Sequence, residues 1–128
     1  MHKKIILSIV TSALIFSGCA AKISSTVVGS PEPPWTGALL ISAEPMPPGI
    51  EYKLIGSVSV DAQSGYNSAA SLYPELAAEA KKIGANAIIN TKGGRRVANF
   101  SWAAPYLSGT AVKVEDIQTL KNLKGTFH

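Results

Sequence analysis

The chain has 128 residues, of which 46% are hydrophobic and only 16% are charged, so it is neither a disordered polyelectrolyte nor a charge-rich coil. Its formal charge is +4, and two of those charges, Lys3 and Lys4, belong to a predicted export signal, which leaves too small an excess to indicate nucleic-acid binding. With one Cys, at position 19, and His only at positions 2 and 128, the chain lacks the residue types for an internal Cys/His dyad, a Ser-His-Asp triad, a zinc cage or a disulfide framework.

Residues 1–18 have the layout of an export signal. The basic start, Met1 to Lys4, is followed by a mostly apolar run from Ile5 to Phe16. A membrane-spanning helix needs about 20 apolar residues, and this run is shorter. Removal of residues 1–18 from the 128 leaves 110 residues, enough for one small domain and a tail.

The signal ends in Ile15-Phe16-Ser17-Gly18-Cys19, which resembles the bacterial lipobox. The resemblance implies that Cys19 is lipidated on its sulfur, that the signal is cut before it, and that the new amino terminus is acylated. Two or three acyl chains would hold the protein on a bilayer almost permanently, whereas one holds it only marginally. Ala20 and Ala21 follow the cysteine where an inner-membrane lipoprotein would carry Asp, so the resemblance favours the outer membrane, facing the periplasm. The alternative is that Cys19 is a chance small residue near an ordinary cleavage site.

Residues 19–36 are predicted to be the lipidated cysteine and a tether. The segment is rich in Ser, Thr and Gly and then in proline, a composition typical of a flexible spacer that stiffens toward an extended form. Trp35 at its end is expected to pack on the edge of the domain, and residues 37–128 are predicted to be that domain.

The first half of the domain predicts two strands. An apolar run over 38–43 indicates a strand that the proline-rich loop at 45–49 ends. Alternation over 52–60 indicates a second strand, with Gly56 marking a bulge. Residues 61–71 form a predicted loop.

The clearest helix is predicted over residues 72–83. Pro74 suits the first turn, and Gly84 suits a left-handed stop after the last one. Four apolar residues at spacings of four, four and three form one face, which should pack on a sheet: Leu72, Leu76, Ala80 and Ile83.

Two further strands are predicted over 85–91 and 107–114, separated by a turn at Gly93-Gly94-Arg95-Arg96 and an aromatic stretch over 97–106. Residues 115–123 form a short predicted terminal helix. The order strand, strand, helix, strand, strand indicates an α+β domain of two layers, with about four strands and one main helix packed on the sheet.

Three segments resemble a small bacterial family, the YbjQ-type domain: Tyr52 to Val60, Glu79 to Ile89, and Ser108 to Val114. The likeness covers about residues 38–114. A modified form of this domain is found in the Rcs envelope-stress lipoprotein, which shares the anchor and the proline-bearing tether but carries domain disulfides, which this chain cannot form. The resemblance implies a fold, a label of heavy-metal binding, and assembly as rings, commonly pentamers. The acids of this chain show no ligand cluster backed by His, so no metal site is expected.

Two groups of residues are candidate sites. Glycine amides and two guanidinium groups at Gly93, Gly94, Arg95 and Arg96 suit phosphate or sulfate, although a solvated hairpin tip would have the same composition. Phe100, Trp102 and Tyr106 suit a protein-contact patch, because aromatic residues are enriched in interface hot spots; core packing or subunit contacts are the alternative.

The sequence therefore predicts a non-enzymatic outer-membrane lipoprotein, anchored at Cys19, whose periplasmic domain binds another envelope protein or itself, and which needs no cofactor. The alternative is a module that binds a small ligand, an anion or a metal, assembled as a homo-oligomeric ring.

Overall fold

A computed structural model describes residues 22–29, 32–62, 69–98 and 101–128. Within these residues, the strands are β1 (Lys22–Val27), β2 (Leu40–Ile41), β3 (Tyr52–Asp61), β4 (Ala87–Ala98), β5 (Ser101–Val114) and β6 (Thr126–Phe127). A 3-10 turn (Ala69–Leu72) leads directly into helix α1 (Tyr73–Lys82), and one further helical turn, α2 (Ile117–Leu120), precedes β6.

The strands form one mixed sheet in the order β1-β3-β5-β4-β2-β6. Neighbouring strands are antiparallel except β2 and β4, which are parallel, with Leu40 opposite Ala87. A register shift between Leu54 and Gly56 marks the bulge in β3.

The predicted four-strand arrangement of order β-β-α-β-β is wrong, because the sheet has six strands among the described residues. Strand β1 lies inside the segment predicted to be a tether, and β6 lies beyond the predicted terminal helix. Both are edge strands whose residues are mostly exposed, so neither has the apolar run by which a buried strand is recognised.

The turn expected at Gly93–Arg96 is also wrong, because these residues continue β4 alongside β5. Gly93 lies opposite Leu107 and Gly94 opposite Tyr106. A Cβ atom at Gly93 would come within 3.0 Å of Leu107 Cδ1, and one at Gly94 within 3.1 Å of Tyr106 Cε1. The glycines therefore mark close cross-strand packing instead of a change of direction.

Helix α1 covers one face of the sheet, which we call the helix face. Pro74 lies in the first turn, Glu75 follows it, and Lys81 and Lys82 lie in the last turn, as the helix dipole favours. Gly84 then takes a positive φ of 97°, which ends the helix. The apolar side chains between helix and sheet form the larger core cluster, which includes Leu72, Leu76, Ala80, Ile55, Val58, Val60, Ile88, Leu107 and Ala111.

The opposite face is covered over only half of its length. Helix α2 and neighbouring loop residues pack there on the carboxyl-terminal half of β5 and the start of β4. This second cluster consists of Leu40, Ala87, Ile89, Val112, Val114 and Leu120, with Met46, Ile50 and Leu123 at its margin. We call this region the covered half.

A buried asparagine closes the covered half at its end. Asn86 is fully buried; its side-chain amide donates to the backbone oxygen of Val114 at 3.0 Å and accepts from the backbone N–H of Val114 at 2.8 Å. Because both polar groups of Val114 would otherwise lie unpaired at the end of β5, this side chain completes the sheet there.

The segment between β1 and β2 crosses the end of the sheet at which β4 begins. The carboxylate of Glu32 lies 3.1 Å from Lys53 Nζ and 3.8 Å from Lys113 Nζ. Trp35 donates its backbone N–H to Lys81 at 2.9 Å and its indole N–H to Ala38 at 3.0 Å. Trp35 is partly buried, so this residue packs at the edge of the domain.

Candidate functional site

The uncovered half of the second face carries short hydroxyl side chains on three adjacent strands. Pairing places Ser24, Ser59 and Ser108 in one row across β1, β3 and β5, and the next row holds Thr26, Ser57 and Thr110. We call these six residues the hydroxyl face. They point away from α1, because alternate residues of a strand lie on opposite faces and Val58 and Val60 occupy the helix face.

The hydroxyl face forms the floor of an open groove of about 400 Å³. Lys92, which lies on β4 opposite Ser108, and Asn90 also line the groove. Asn90 has a positive φ of 52°, at a register irregularity between Ile89 and Lys92. Asn tolerates this conformation better than most residues, so the irregularity brings two polar side chains to one border of the groove.

Hydroxyl groups give this groove a particular hydrogen-bonding capacity. Each one can donate one hydrogen bond and accept others, and the hydroxyls of Ser24 and Ser59 are already paired at 2.7 Å. Short side chains lose little conformational freedom when they are covered. The groove therefore suits an uncharged polar partner, such as peptide backbone or a polyol, with the exposed ammonium of Lys92 at its border.

Strand β1 joins the hydroxyl face to the helix face. Its three exposed apolar side chains, Ile23, Val27 and the adjoining Val28, are each more than two-fifths accessible. Between them, Ser25 donates to Glu79 Oε2 on α1 at 2.7 Å. That hydrogen bond, with the nearby ammonium of Lys82 at 3.2 Å from Oε1, holds the pKa of Glu79 below its ordinary value, although partial burial opposes the shift.

The residues predicted to bind an anion lie in register along β4. Gly93, Gly94, Arg95 and Arg96 pair with Leu107, Tyr106, Pro105 and Ala104. Backbone amides in a sheet ladder are directed at the neighbouring strand and not gathered into a concave nest. The arrangement of glycine amides on which the anion prediction was based is therefore absent from this part of the described chain, and the side chain of Arg95 is exposed at the border of the sheet.

Of the aromatic residues predicted to form an interface, the structure describes the side chain of Tyr106 alone, so the shared contact patch stays a prediction. Trp102 belongs to β5, Tyr106 is partly buried against Gly94, and Phe100 lies outside the described residues. Cys19, the predicted lipidation site, also lies outside them.

The hydroxyl face was missed by reasoning from the sequence. Its signal is the alternation Ser57-Val58-Ser59-Val60, which places two hydroxyls on one face and two valines on the other. The other four hydroxyls come from β1 and β5, and only the pairing of the strands shows that all six share one surface.

Within the part of the chain that the structure describes, no three or more His, Cys, Asp or Glu side chains are grouped as they would be to hold a metal ion. No helix in that same part is long and apolar enough to cross a bilayer.

No family model, curated protein or solved structure matches this chain. The likeness of Tyr52 to Val60, of Glu79 to Ile89 and of Ser108 to Val114 to the YbjQ-type domain therefore stays an interpretation of the sequence.

Proposed function

We propose that this protein is an outer-membrane lipoprotein, anchored through lipidated Cys19, whose periplasmic sheet domain binds another component of the bacterial envelope without catalysing a reaction. The observation that carries the proposal is the sequence Ser17-Gly18-Cys19 directly after an apolar run of signal-peptide length. The scarcity of Cys and His in the sequence is the reason for proposing binding over catalysis.

The hydroxyl face is the contact surface that we propose for the domain. Its groove is open, is lined by residues of four neighbouring strands, and presents unburied hydrogen-bonding groups. A partner with polar, uncharged groups at the spacing of sheet rows could exchange hydrogen bonds with water for hydrogen bonds with these hydroxyls, each at a modest net gain. The partner in this proposal is an envelope protein or a second copy of the chain.

Lipidation is tested by mass spectrometry of the protein purified from bacterial membranes. We expect the natural chain to begin at Cys19 and to carry the mass of a diacylglyceryl group, and Cys19→Ser to keep its signal and lack the lipid. Ser17→Ala is the matched control, because it changes the same motif but keeps a small residue, and it should be processed normally. A natural chain that begins elsewhere or carries no lipid would contradict the anchor.

The contact surface is tested by placing a bulky charge in the groove. We expect Ser59→Arg with Ser108→Arg to abolish the crosslinks that the natural protein forms in intact envelopes. Ala78→Arg, on the exposed side of α1, is the control and should leave them unchanged. If the groove variant retains the same crosslinked species as the control, the hydroxyl face is not the contact surface, whatever the outcome for lipidation.

A further inference from the structure

We infer that strand β1 pairs with β1 of a second copy of the chain, so that two domains form one continuous sheet around a two-fold axis at Ser25. The inference goes beyond the proposed function, because it requires neither the lipid anchor nor a partner on the hydroxyl face. It concerns the outer edge of β1, which among the described residues has β3 on one side and no strand on the other.

The two edges of the sheet differ in how they are protected from pairing with another chain. Edge strand β6 is only two residues long, whereas β1 is six residues long. Natural edge strands are commonly protected by lysine, by proline or by a bulge. After its first residue, Lys22, strand β1 contains neither a charged residue nor proline, and its register with β3 has no shift. The edge of β1 is therefore a template on which a further strand can pair.

The backbone of β1 directs every second residue outward. Just after β1 ends, the backbone N–H of Val28 donates to the backbone oxygen of Ile55 at 2.8 Å, so Val28 is directed at β3. Thr26 is directed the same way, because its backbone oxygen lies against Gly56 of β3. In an antiparallel pair, the residues between those that bond to the neighbouring strand direct their backbone N–H and C=O groups away from it. In β1 these outward residues are Ile23, Ser25 and Val27.

One register pairs all three outward residues at once. In an antiparallel pair centred on Ser25, this residue lies opposite Ser25 of the second copy, and Ile23 of each copy lies opposite Val27 of the other. Because outward residues exchange two backbone hydrogen bonds with each residue that they face, this register forms about six of them. Centring the pair on Ser24 or on Thr26 would leave one of the three outward residues opposite a residue outside β1.

The same register matches the side chains row by row. On the helix face, Ile23 and Val27 are 42% and 43% exposed, and each would cover the other across the axis. Pairs of β-branched residues across neighbouring strands stabilise a sheet. On the opposite face, Ser24 would lie opposite Thr26 of the second copy, so the hydroxyl rows continue from one domain into the next. Strand β1 is therefore complementary to itself in both backbone and side chains, which is why the partner that we propose is a second copy.

The acid nearest the axis is already balanced within each copy. Ser25 donates to Glu79 Oε2 at 2.7 Å, and Lys82 Nζ lies 3.2 Å from Glu79 Oε1. Like charges that face each other across neighbouring strands are destabilising. Because both oxygens of Glu79 have a partner in their own chain, the two-fold axis does not bring two unpaired carboxylates together.

The mass of the assembly is the first test. The full protein is purified from bacterial membranes in detergent and measured by native mass spectrometry over a range of protein concentrations. We expect the mass of two chains, because a two-fold contact between identical surfaces closes with two copies. A protein that is a monomer at every concentration overturns the inference, and so does a ring of three or more copies.

Two charge variants test the antiparallel register. Ile23→Lys with Val27→Lys places like charges opposite each other on both sides of the axis and should raise the dissociation constant of the dimer by at least about tenfold. Ile23→Lys with Val27→Glu places opposite charges there and should remain a dimer. Positions 23 and 27 are about 13 Å apart along one strand, so the two charges cannot pair within a single chain. Equal dissociation of the two variants contradicts the register.

Ile117→Lys with Phe127→Lys is the matched control for added charge. These residues are 47% and 45% exposed and line one groove beside β6, at the other edge of the sheet. The control should remain a dimer, and its dissociation would contradict the assignment of the contact to β1. Circular dichroism of every variant should match that of the natural protein, because none of the four substituted side chains is buried in a single copy.

Failure of this inference can be told apart from failure of the proposed function. Ser59→Arg with Ser108→Arg changes β3 and β5 and leaves the sequence of β1 unaltered, so the purified variant should keep the mass of two chains. A natural protein that is monomeric but still forms crosslinks to envelope partners contradicts the β1 contact alone. A dimer that forms no such crosslinks contradicts the proposed function alone.

Discussion

The sheet face opposite α1 has two halves, the covered half beneath α2 and the uncovered half that carries the hydroxyl face. They differ in the side chains that their strands present. On β5, Val112 and Val114 are almost completely buried beneath α2 and its neighbouring loop residues, whereas Thr110 and Ser108, two and four positions before Val112, remain partly accessible in the groove. The covering residues do not extend sideways from β5 onto β3, since Leu54 and Tyr52 on β3 stay 49% and 45% exposed. Along β5, the end of the cover coincides with the change from valine to hydroxyl side chains.

The physical reason is the different gain from burial. Covering a Val or Leu side chain is worth about 1.5–3 kcal/mol, while covering a hydroxyl gains little unless it finds a partner. A short element such as α2 is therefore stabilised over the apolar half and would gain almost nothing over the hydroxyl half. The uncovered half stays available for a partner from outside the chain.

The largest expected effect comes from removing the cover. Leu120→Ala deletes a side chain that is only 2% exposed and should lower the free energy of unfolding by about 3–4 kcal/mol, from lost burial and the cavity left behind. Denaturant unfolding measures this loss. Ile117→Ala, on the same helical turn but 47% exposed, should cost less than about 1 kcal/mol. Equal losses for the two variants would mean that α2 does not stabilise the covered half.

A somewhat smaller effect is expected where the covered half ends. Asn86→Ala leaves the backbone N–H and oxygen of Val114 without their side-chain partner and should cost about 2–3 kcal/mol. Asn122→Ala, at an exposed position, should change stability by no more than about 0.5 kcal/mol. Hydrogen exchange of the Val114 amide gives the second readout, and unchanged protection in Asn86→Ala would rule out the proposed role.

Two neighbouring serines on β1 test which residues lie on which face of the sheet, because Ser24 and Ser25 point to opposite faces. Ser25→Ala removes the hydrogen bond to Glu79 and should cost about 1 kcal/mol, and the pKa of Glu79 should rise toward its ordinary value. Ser24→Ala, whose hydroxyl lies on the other face, should leave that pKa unchanged. NMR titration of the Glu79 carboxyl measures both variants, and an equal shift in both would contradict the assignment of faces.

The hydrogen bond between Ser25 and Glu79 also predicts how the stability of the protein depends on pH. Because the pKa of Glu79 is lowered in the folded protein, its contribution is fully present above the pKa of the unfolded carboxyl. The contribution is lost as pH falls through the lower, folded value. Ser25→Ala should therefore lose less stability than the natural protein across that acidic interval, and parallel losses would show that the hydrogen bond does not cause the shift.

The smallest expected effect lies on the hydroxyl face itself. Ser108→Ala with Thr110→Ala should change the free energy of unfolding by no more than about 0.5 kcal/mol, because these side chains are not buried and no core depends on them. Crosslinking to envelope partners should fall in the same variant. A large loss of stability would show that the groove is part of the fold and not a surface reserved for binding.

Reasoning from the sequence succeeded where local chemistry and burial agree. Pro74, the apolar spacing from Leu72 to Ala80 and the positive φ required at Gly84 all belong to one short segment, and α1 lies within it. The same reasoning failed for β1, because alternating Ser and Thr residues carry little apolar signal and suit a polar linker equally well.

The glycine pair in β4 shows a second limit. Gly93 and Gly94 favour a turn when only their neighbours in sequence are considered. Their actual environment is set by Leu107 and Tyr106, more than ten residues away, whose side chains occupy the space that Cβ atoms would need. No local pattern contains that information.

The sequence by itself determined the main helix, the alternation of polar and apolar residues in β3, and the lipobox-like motif from which the anchor at Cys19 is predicted. Each of these depends on residues close together in the chain, where propensity, periodicity and motif spacing act. The tertiary structure alone decided that six hydroxyls from three strands share one groove, and that Gly93 and Gly94 continue β4 instead of forming a turn. Both depend on strand pairing between distant segments, whose register is set by burial of the helix face as a whole.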